Sequence, residues 1–176
     1  MKRLAIAMAI GSVMACGGCS GGSSPTAATP PANIGGPYEL TITASSTCSA
    51  NLPAAAWVLT FFATITQSGP TAQMQLIAHI PGTPSTTVSG TVSGQTVTFP
   101  SFSLSETMAG GAALVASGNA NVAANGDIAG SLSGTYQTPS GSSCNSPNHQ
   151  LKLVKLCDKQ ISPGVIAAVP CGTLGI

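Results

Sequence analysis

The sequence predicts an all-β domain, and the arrangement that it favours is an eight-stranded antiparallel up-and-down barrel. From residue 37 onward apolar and polar residues alternate, and this period of two is typical of half-buried strands. Turn-forming Gly, Pro and Asn residues separate eight such stretches at short intervals. Charged residues make up only 5% of the chain, and the many Ser and Thr residues that supply polarity suit strands better than helices.

The first three predicted strands are recognised by their inward apolar positions. These positions are, in chain order, Tyr38, Leu40 and Ile42; Trp57, Leu59, Phe61, Ala63 and Ile65; and Met74, Leu76, Ala78 and Ile80. Three apolar residues fall on the outer face of the second and third strands, namely Val58, Phe62 and Ile77. An outward apolar group of this kind is one way to build a docking patch for a partner or for a membrane surface.

The next strands are separated by stronger turn signals. The fourth covers residues 88–92, and a tight turn leads into the fifth, whose apolar parity shifts after Pro100. A proline with a one-residue slip predicts a β-bulge or a sharp bend. Asn125 and Gly126, which tolerate positive φ, predict a hairpin between the sixth strand, residues 114–122, and the seventh, residues 128–136. The last strand is expected at residues 149–156 after a loop that carries a cysteine.

Closure into a barrel is favoured because the connections are short and sequential. Eight strands are enough to close and so remove the exposed edges. Glycines within the strands, Gly90, Gly118, Gly130 and Gly134, would permit the coiling that closure requires. The alternative is an open β-sandwich, which the same alternation allows.

The four cysteines of the domain allow three disulfide pairings. Cys144 and Cys157 bracket the last strand, so their Cα atoms would lie too far apart for a disulfide. In a closed meander the first and last strands are antiparallel neighbours, which brings Cys48 beside Cys144. The sequence therefore predicts Cys48–Cys144 and Cys157–Cys171, the second of which would pin the tail, residues 158–176, onto the domain.

The first 15 residues have the order of a secretory signal peptide. Two basic residues are followed by an apolar run that is too short to span a bilayer, and Ala15 supplies the small residue at the cleavage point. The residues Val13-Met14-Ala15-Cys16 resemble the lipobox of bacterial lipoproteins. This resemblance implies that Cys16 is lipidated and becomes the mature N-terminus. It also implies an outer-membrane location, because Gly17 and not Asp follows.

Residues 16–36 are rich in Gly, Ser, Pro and Thr, and we expect them to form a disordered tether between the lipid and the barrel domain, residues 37–157. Cys19 is a second candidate for lipidation, although Cys16 in the position three before it fits the lipobox poorly.

The Cys16-x-x-Cys19 spacing also occurs in redox and metal sites. We reject that interpretation because no predicted strand or helix would hold the pair.

Several functions are disfavoured by composition. After removal of the signal peptide three lysines face four carboxylates, a net charge of −1, and no basic residue lies between Arg3 and Lys152. Nucleic acid is therefore not an expected partner. The carboxylates (Glu39, Glu106, Asp127, Asp158) are not paired by spacing, and both His79 and His149 are expected on the surface. No G-x-S-x-G or phosphate loop occurs. We expect no catalytic residues, metal or cofactor, and an enzyme, such as a hydrolase, is the weakest hypothesis.

Two functional hypotheses remain. In the first, a lipid-anchored, lipocalin-like barrel binds a small apolar molecule, the resemblance to lipocalins being one of architecture only. Its candidate lining residues are Tyr38, Trp57, Phe61, Met74, Phe99 and Tyr136, with Phe102 as a further member. In the second, the same residues fill the core, and the protein is a structural or protein-interaction lipoprotein whose protein partner the sequence does not identify.

Overall fold

The fold is described by a computed structural model for residues 29–78, 86–106, 112–162 and 165–171. Those residues include nine strands and two short 3₁₀ turns, at Ser46–Cys48 and Ala54–Ala56. The strands are β1 (Gly36–Thr43), β2 (Val58–Ser68), β3 (Thr71–Ala78), β4 (Thr86–Ser93), β5 (Thr96–Glu106), β6 (Ala112–Val122), β7 (Ile128–Gln137), β8 (Ser143–Ser162) and β9 (Val165–Pro170).

The first eight strands form a closed antiparallel barrel with up-and-down topology. Each strand pairs with the next, and β1 also pairs with β8, from Tyr38 opposite Lys155 to Thr43 opposite Gln150. The predicted barrel is therefore confirmed, and the open β-sandwich is wrong. The predicted irregularity at Pro100 is also present, because the pairing of β5 with β6 shifts register between Phe99 and Phe102.

The eighth strand is longer than the sequence indicated. It begins before Cys144, which we had expected in a loop, and it continues well past residue 156. Leu132 pairs with His149 and Gly134 pairs with Ser146, so β8 carries one extra residue at a bulge around Pro147. The expected tail, residues 158–176, contains the end of this strand and β9, which together form a hairpin.

The two ends of the barrel differ in their connections. At one end, called here the loop end, β1, β3, β5 and β7 finish, and the connection from β1 to β2 spans residues 44–57. At the other end, called the turn end, two-residue connections join β2 to β3 and β4 to β5, and residues 123–127 join β6 to β7. β1 begins at the turn end, so the chain enters the barrel there.

The connection from β1 to β2 plugs the loop end. Its residues Ala44, Cys48, Leu52 and Ala56 are buried and belong to the same hydrophobic core as the inward faces of the strands. Trp57 lies one residue before β2, not within it as expected, and is half-buried against that core. Its indole Nε1–H donates a hydrogen bond to the Leu52 carbonyl over 3.0 Å, which ties the end of the plug to its middle.

Residues 29–35 cross the turn end as a strap. The Ala32 N–H donates to the Gly94 carbonyl over 2.7 Å, and the Ile34 side chain is only 1% exposed. The Gln67 side chain holds the strap on both sides. Its Oε1 accepts from the Ile34 N–H over 2.8 Å, and its Nε2 donates to the Ala32 carbonyl over 2.9 Å. The last part of the expected tether therefore lies against the barrel, while residues 16–28 lie outside the described residues.

Candidate functional site

The six candidate ligand-lining residues face the interior but do not gather at one place. Five of them, Tyr38, Phe61, Met74, Phe99 and Tyr136, are at most 4% exposed, and Trp57 packs against the same core. Tyr38 lies near the turn end at the start of β1, whereas Tyr136 lies near the loop end of β7. The side chains are thus distributed along the barrel axis and take part in one continuous hydrophobic core.

Among the titratable residues, sequence reasoning placed His149 wrongly. We expected it on the surface, but its side chain is fully buried. The bulge around Pro147 is the cause, because the extra residue shifts the set of alternate β8 residues that points inward by one position. The buried residues are Cys144 and Ser146 before the bulge, and His149 and Leu151 after it.

Both ring nitrogens of His149 have fixed partners. Nδ1 accepts a hydrogen bond from the Ser45 backbone N–H over 3.1 Å. Nδ1 therefore carries no proton, and Nε2 carries the proton that it donates to the Gly134 carbonyl, 3.0 Å away. The ring also packs against Tyr136, with ring centroids 4.9 Å apart. The hydrogen bonds thus select one neutral tautomer.

Burial sets the protonation of this cluster. Loss of hydration lowers the pKa of His149, and the hydrogen bond to the Gly134 carbonyl opposes that effect only in part. Burial also raises the pKa of Tyr136 well above its ordinary value, so its hydroxyl stays protonated. The Tyr136 hydroxyl donates to the Ile42 carbonyl over 3.3 Å. The neutral pair joins β7 and β8 to the end of β1 and the beginning of the plug.

A disulfide completes the same region. Cys48 of the plug is bonded to Cys144 of β8, with Cα atoms 5.5 Å apart. The second disulfide joins Cys157 and Cys171 at the base of the β8–β9 hairpin. The two pairings are those that the sequence predicts. The plug is therefore fixed to the barrel by the Cys48–Cys144 bond, by the Ser45–His149 hydrogen bond and by its own apolar side chains.

The contacts of His149 with Ser45, Gly134 and Tyr136 hold backbone segments together. A general base must be able to reach a substrate proton, but both nitrogens of this ring are engaged by backbone groups. The Ser45 hydroxyl is paired with the Thr47 hydroxyl at 3.0 Å and not with the imidazole. Among the described residues, no group of three or more His, Cys, Asp or Glu side chains is arranged to hold a metal ion.

The other titratable candidates lie apart from this cluster. Glu39 is on the outward parity of β1, and Asp127 is at the turn end, where its carboxylate accepts from the Lys155 backbone N–H over 2.9 Å and from the Asn125 amide over 2.9 Å. Glu106 and Asp158 are in β5 and β8. His79 lies outside the described residues. Of the four carboxylates, only those of Glu39 and Asp127 belong to described side chains, and these two lie in different strands and connections.

A buried polar atom without a partner lies at the turn end of the barrel. Among the described side chains, the Tyr38 hydroxyl is the one buried N or O atom that makes no hydrogen bond. Burial, with a smaller contribution from the negative charge of Asp127, raises the pKa of Tyr38 to about 12. The Lys155 ammonium lies over the Tyr38 ring, 5.8 Å from its centroid. A buried hydroxyl in this state is a place where a polar atom of a ligand, or a water, would be stabilised.

The described outer surface carries shallow grooves and an apolar patch on β2 and β3. A groove of about 580 Å³ crosses β1, β7 and β8 and is lined mainly by outward polar residues, among them Thr41, Ser131 and Lys152. On the neighbouring strands β2 and β3, the expected outward residues Val58, Phe62 and Ile77 are each close to half exposed, and Phe62 pairs directly with Ile77. A docking role for this patch stays a hypothesis.

Comparison of the chain with protein-family models, with curated proteins and with solved structures found no match. The part of the chain that the structure describes contains no helix long and apolar enough to cross a membrane.

We expect the stability of the barrel to fall on mild acidification because of His149. Its folded pKa is below the unfolded value of about 6.5, so the unfolded chain binds the extra proton first and stability is lost from about pH 6.5 downward, until the folded pKa is reached. Urea unfolding at several pH values above about 5, where carboxylates stay ionised, measures this loss.

The control for this prediction is the second histidine. A His149→Gln variant should be less stable at neutral pH but should lose the pH dependence, whereas a His79→Gln variant should keep it. If the pH dependence follows His79 and not His149, the assignment to the buried ring is wrong.

Proposed function

We propose that this protein is a lipid-anchored component of the bacterial cell envelope, placed in the outer membrane. In this proposal the barrel is a packed scaffold for structural or protein-interaction purposes and does not carry a ligand. The observation that supports a packed scaffold is the continuous core, in which the inward residues of the strands join the buried residues of the plug and of the strap. The two disulfides suit an oxidising compartment outside the cytoplasm.

The proposal also gives the barrel an orientation. The strap, residues 29–35, enters at the turn end, so a lipid on Cys16 would hold the turn end toward the membrane. The loop end, with its disulfide-bonded plug, would then face away from the membrane. Surfaces available to a protein partner are the loop end and the outward patch of Val58, Phe62 and Ile77.

The anchor is tested by metabolic labelling with a fatty acid. The wild-type protein should incorporate the label and float with membranes, and a Cys16→Ala variant should lose both properties. A Cys19→Ala variant is the matched control and should remain labelled. Labelling that persists in Cys16→Ala and disappears in Cys19→Ala would show that Cys19 is the anchor and that the proposed cleavage site is wrong.

The second candidate function, binding of a small and largely apolar ligand, is favoured by one observation, the unpartnered Tyr38 hydroxyl. A ligand with a single polar group could satisfy this atom, at the cost of displacing part of the core. Native mass spectrometry of the purified protein separates the two functions. A mass that matches the chain and its lipid supports the packed scaffold, and a reproducible additional small molecule supports ligand binding.

The variant Tyr38→Phe also distinguishes a packed core from a ligand-binding barrel. In a packed core without ligand, removing an unpaired buried hydroxyl should leave the free energy of unfolding unchanged or raise it by about 1 kcal/mol. Chemical denaturation of the wild type and the variant measures the difference. A clear loss of stability in Tyr38→Phe, together with loss of a co-purified molecule, would instead assign the hydroxyl to a ligand.

A further inference from the structure

The turn between β6 and β7 contains a chemically labile pair of residues. Asn125 is the one asparagine in the sequence that glycine follows, and its side chain is exposed. The backbone nitrogen after an asparagine can attack the side-chain amide carbon. Glycine obstructs this attack least, because it has no side chain and its backbone adopts many conformations. Asn125 is therefore a candidate for spontaneous deamidation.

Deamidation at this pair takes two balanced steps. The Gly126 nitrogen forms a bond to Cγ of Asn125, the Cγ–Nδ2 bond breaks, and the amide group leaves as ammonia with the proton of the Gly126 N–H. Water then opens the cyclic imide at one of its two carbonyl carbons, which gives aspartate or isoaspartate. The reaction therefore needs a Gly126 nitrogen that is free to lose its proton and an Asn125 side chain that can turn toward it.

The folded turn meets neither requirement. The Gly126 N–H donates a hydrogen bond to the Ala123 carbonyl over 2.9 Å, and the φ of Gly126 is 85°. The Asn125 side chain is held at both of its polar atoms by Asp127. Its Oδ1 accepts from the Asp127 N–H over 3.1 Å, and its Nδ2 donates to the Asp127 carboxylate over 2.9 Å. The attack therefore requires these contacts to break.

Asp127 is itself held by β8. Its Oδ1 accepts from the Lys155 backbone N–H over 2.9 Å, so the two carboxylate oxygens serve two different donors. Gly126 lies beside the Lys155 side chain, because a Cβ added at Gly126 would be 2.8 Å from the Lys155 Cδ. Hydrogen bonds to a carboxylate are stronger than those between neutral groups. Asp127 therefore lowers the population of the open turn in which Asn125 can react.

We propose that Asn125 is a deamidation site and that Asp127 suppresses the reaction as long as the β6–β7 turn is closed against β8. Conversion removes the Nδ2 donor and places a second carboxylate beside that of Asp127, so that repulsion replaces a hydrogen bond. Isoaspartate also adds a carbon to the backbone of the turn. The original contacts then cannot form again, and each opening that leads to reaction leaves a permanent change. The inference does not depend on the proposed lipid anchor.

Peptide mapping of the full chain by mass spectrometry tests this proposal. The protein is incubated at mildly alkaline pH, which favours loss of the Gly126 N–H proton, and the products at Asn125 are separated after digestion. The reaction should be about tenfold slower in the folded wild type than in urea, since a hydrogen bond to a charged group is worth a factor of this size. Asp127→Ala should raise the rate in the folded protein by about the same factor. Asp127→Asn keeps one acceptor oxygen and should raise it less.

Asn145 of β8, which Ser146 follows, is the internal control. Unfolding of a whole variant would accelerate the reaction at Asn145 and Asn125 alike, whereas opening of the turn accelerates it at Asn125 alone. Equal rates at Asn125 in folded and unfolded wild type would overturn protection by the turn. A wild-type rate in Asp127→Ala, or an equal rise at Asn145, would overturn the role of Asp127. An unreactive Asn125 in urea would show that it is not a deamidation site.

Discussion

Replacing both Cys48 and Cys144 by alanine is expected to lower the free energy of unfolding by about 4 to 5 kcal/mol. The two cysteines are 96 residues apart in sequence, and in the chain-entropy model a loop of this length gives one of the larger disulfide contributions. The bond also fixes the plug over the loop end, so its loss should allow residues 44–57 to detach before the barrel unfolds. Urea denaturation followed by circular dichroism, and by fluorescence of Trp57 in the plug, measures both effects.

The second disulfide provides the comparison. Cys157 and Cys171 are only 14 residues apart in sequence, and their bond lies at the base of the β8–β9 hairpin, outside the pairing of β8 with β1. Their replacement by alanine should release the hairpin but change the unfolding of the barrel by less than about 1 kcal/mol, since the hairpin opens as a separate unit. Equal losses in the free energy of unfolding for the two double variants would contradict the idea that the Cys48–Cys144 bond stabilises the closed barrel.

The sequence predicted the barrel well because the information was local. The alternation of apolar and polar residues identified the inward face of each strand, and Asn125-Gly126 predicted the hairpin between β6 and β7. At Pro100 the parity of apolar residues changed visibly, from Phe99 to Phe102, so the bulge could be located. From these features the neighbour of each strand followed, and closure of β1 on β8 then predicted the disulfide pairing.

The bulge around Pro147 could not be predicted from the sequence, because the residues around it show no alternation of apolar and polar side chains. Residues 145–148 are all polar or proline, so nothing in the sequence shows that the inward face changes between Cys144 and His149. The position of His149 therefore could not be found from periodicity. The strap and the plug were missed for a related reason, since they are aperiodic segments whose positions depend on tertiary contacts such as those of Gln67.

Substitution of glycines in β7 is expected to lower the free energy of unfolding strongly, because the backbone of β6 leaves no room for a side chain. Gly130 pairs with Ala120 and Gly134 pairs with Ala116. A Cβ added at Gly130 would collide with the Asn119 carbonyl oxygen and the Ala120 Cα, and one added at Gly134 would meet β6 in the same way. The sharp coiling that a small closed barrel requires thus brings these strands together at positions without a side chain.

Gly130→Ala and Gly134→Ala are each expected to destabilise the protein by about 3 kcal/mol, because the atoms in the way are backbone and the strand itself must move. The reduced freedom of the unfolded chain offsets only about 0.4 to 1 kcal/mol of this loss. Ser133→Ala, on the exposed face of the same strand, is the matched control and should change stability by less than about 0.5 kcal/mol. If urea denaturation gave similar values for all three variants, the two strands could separate without cost, and the barrel would owe its curvature to other positions.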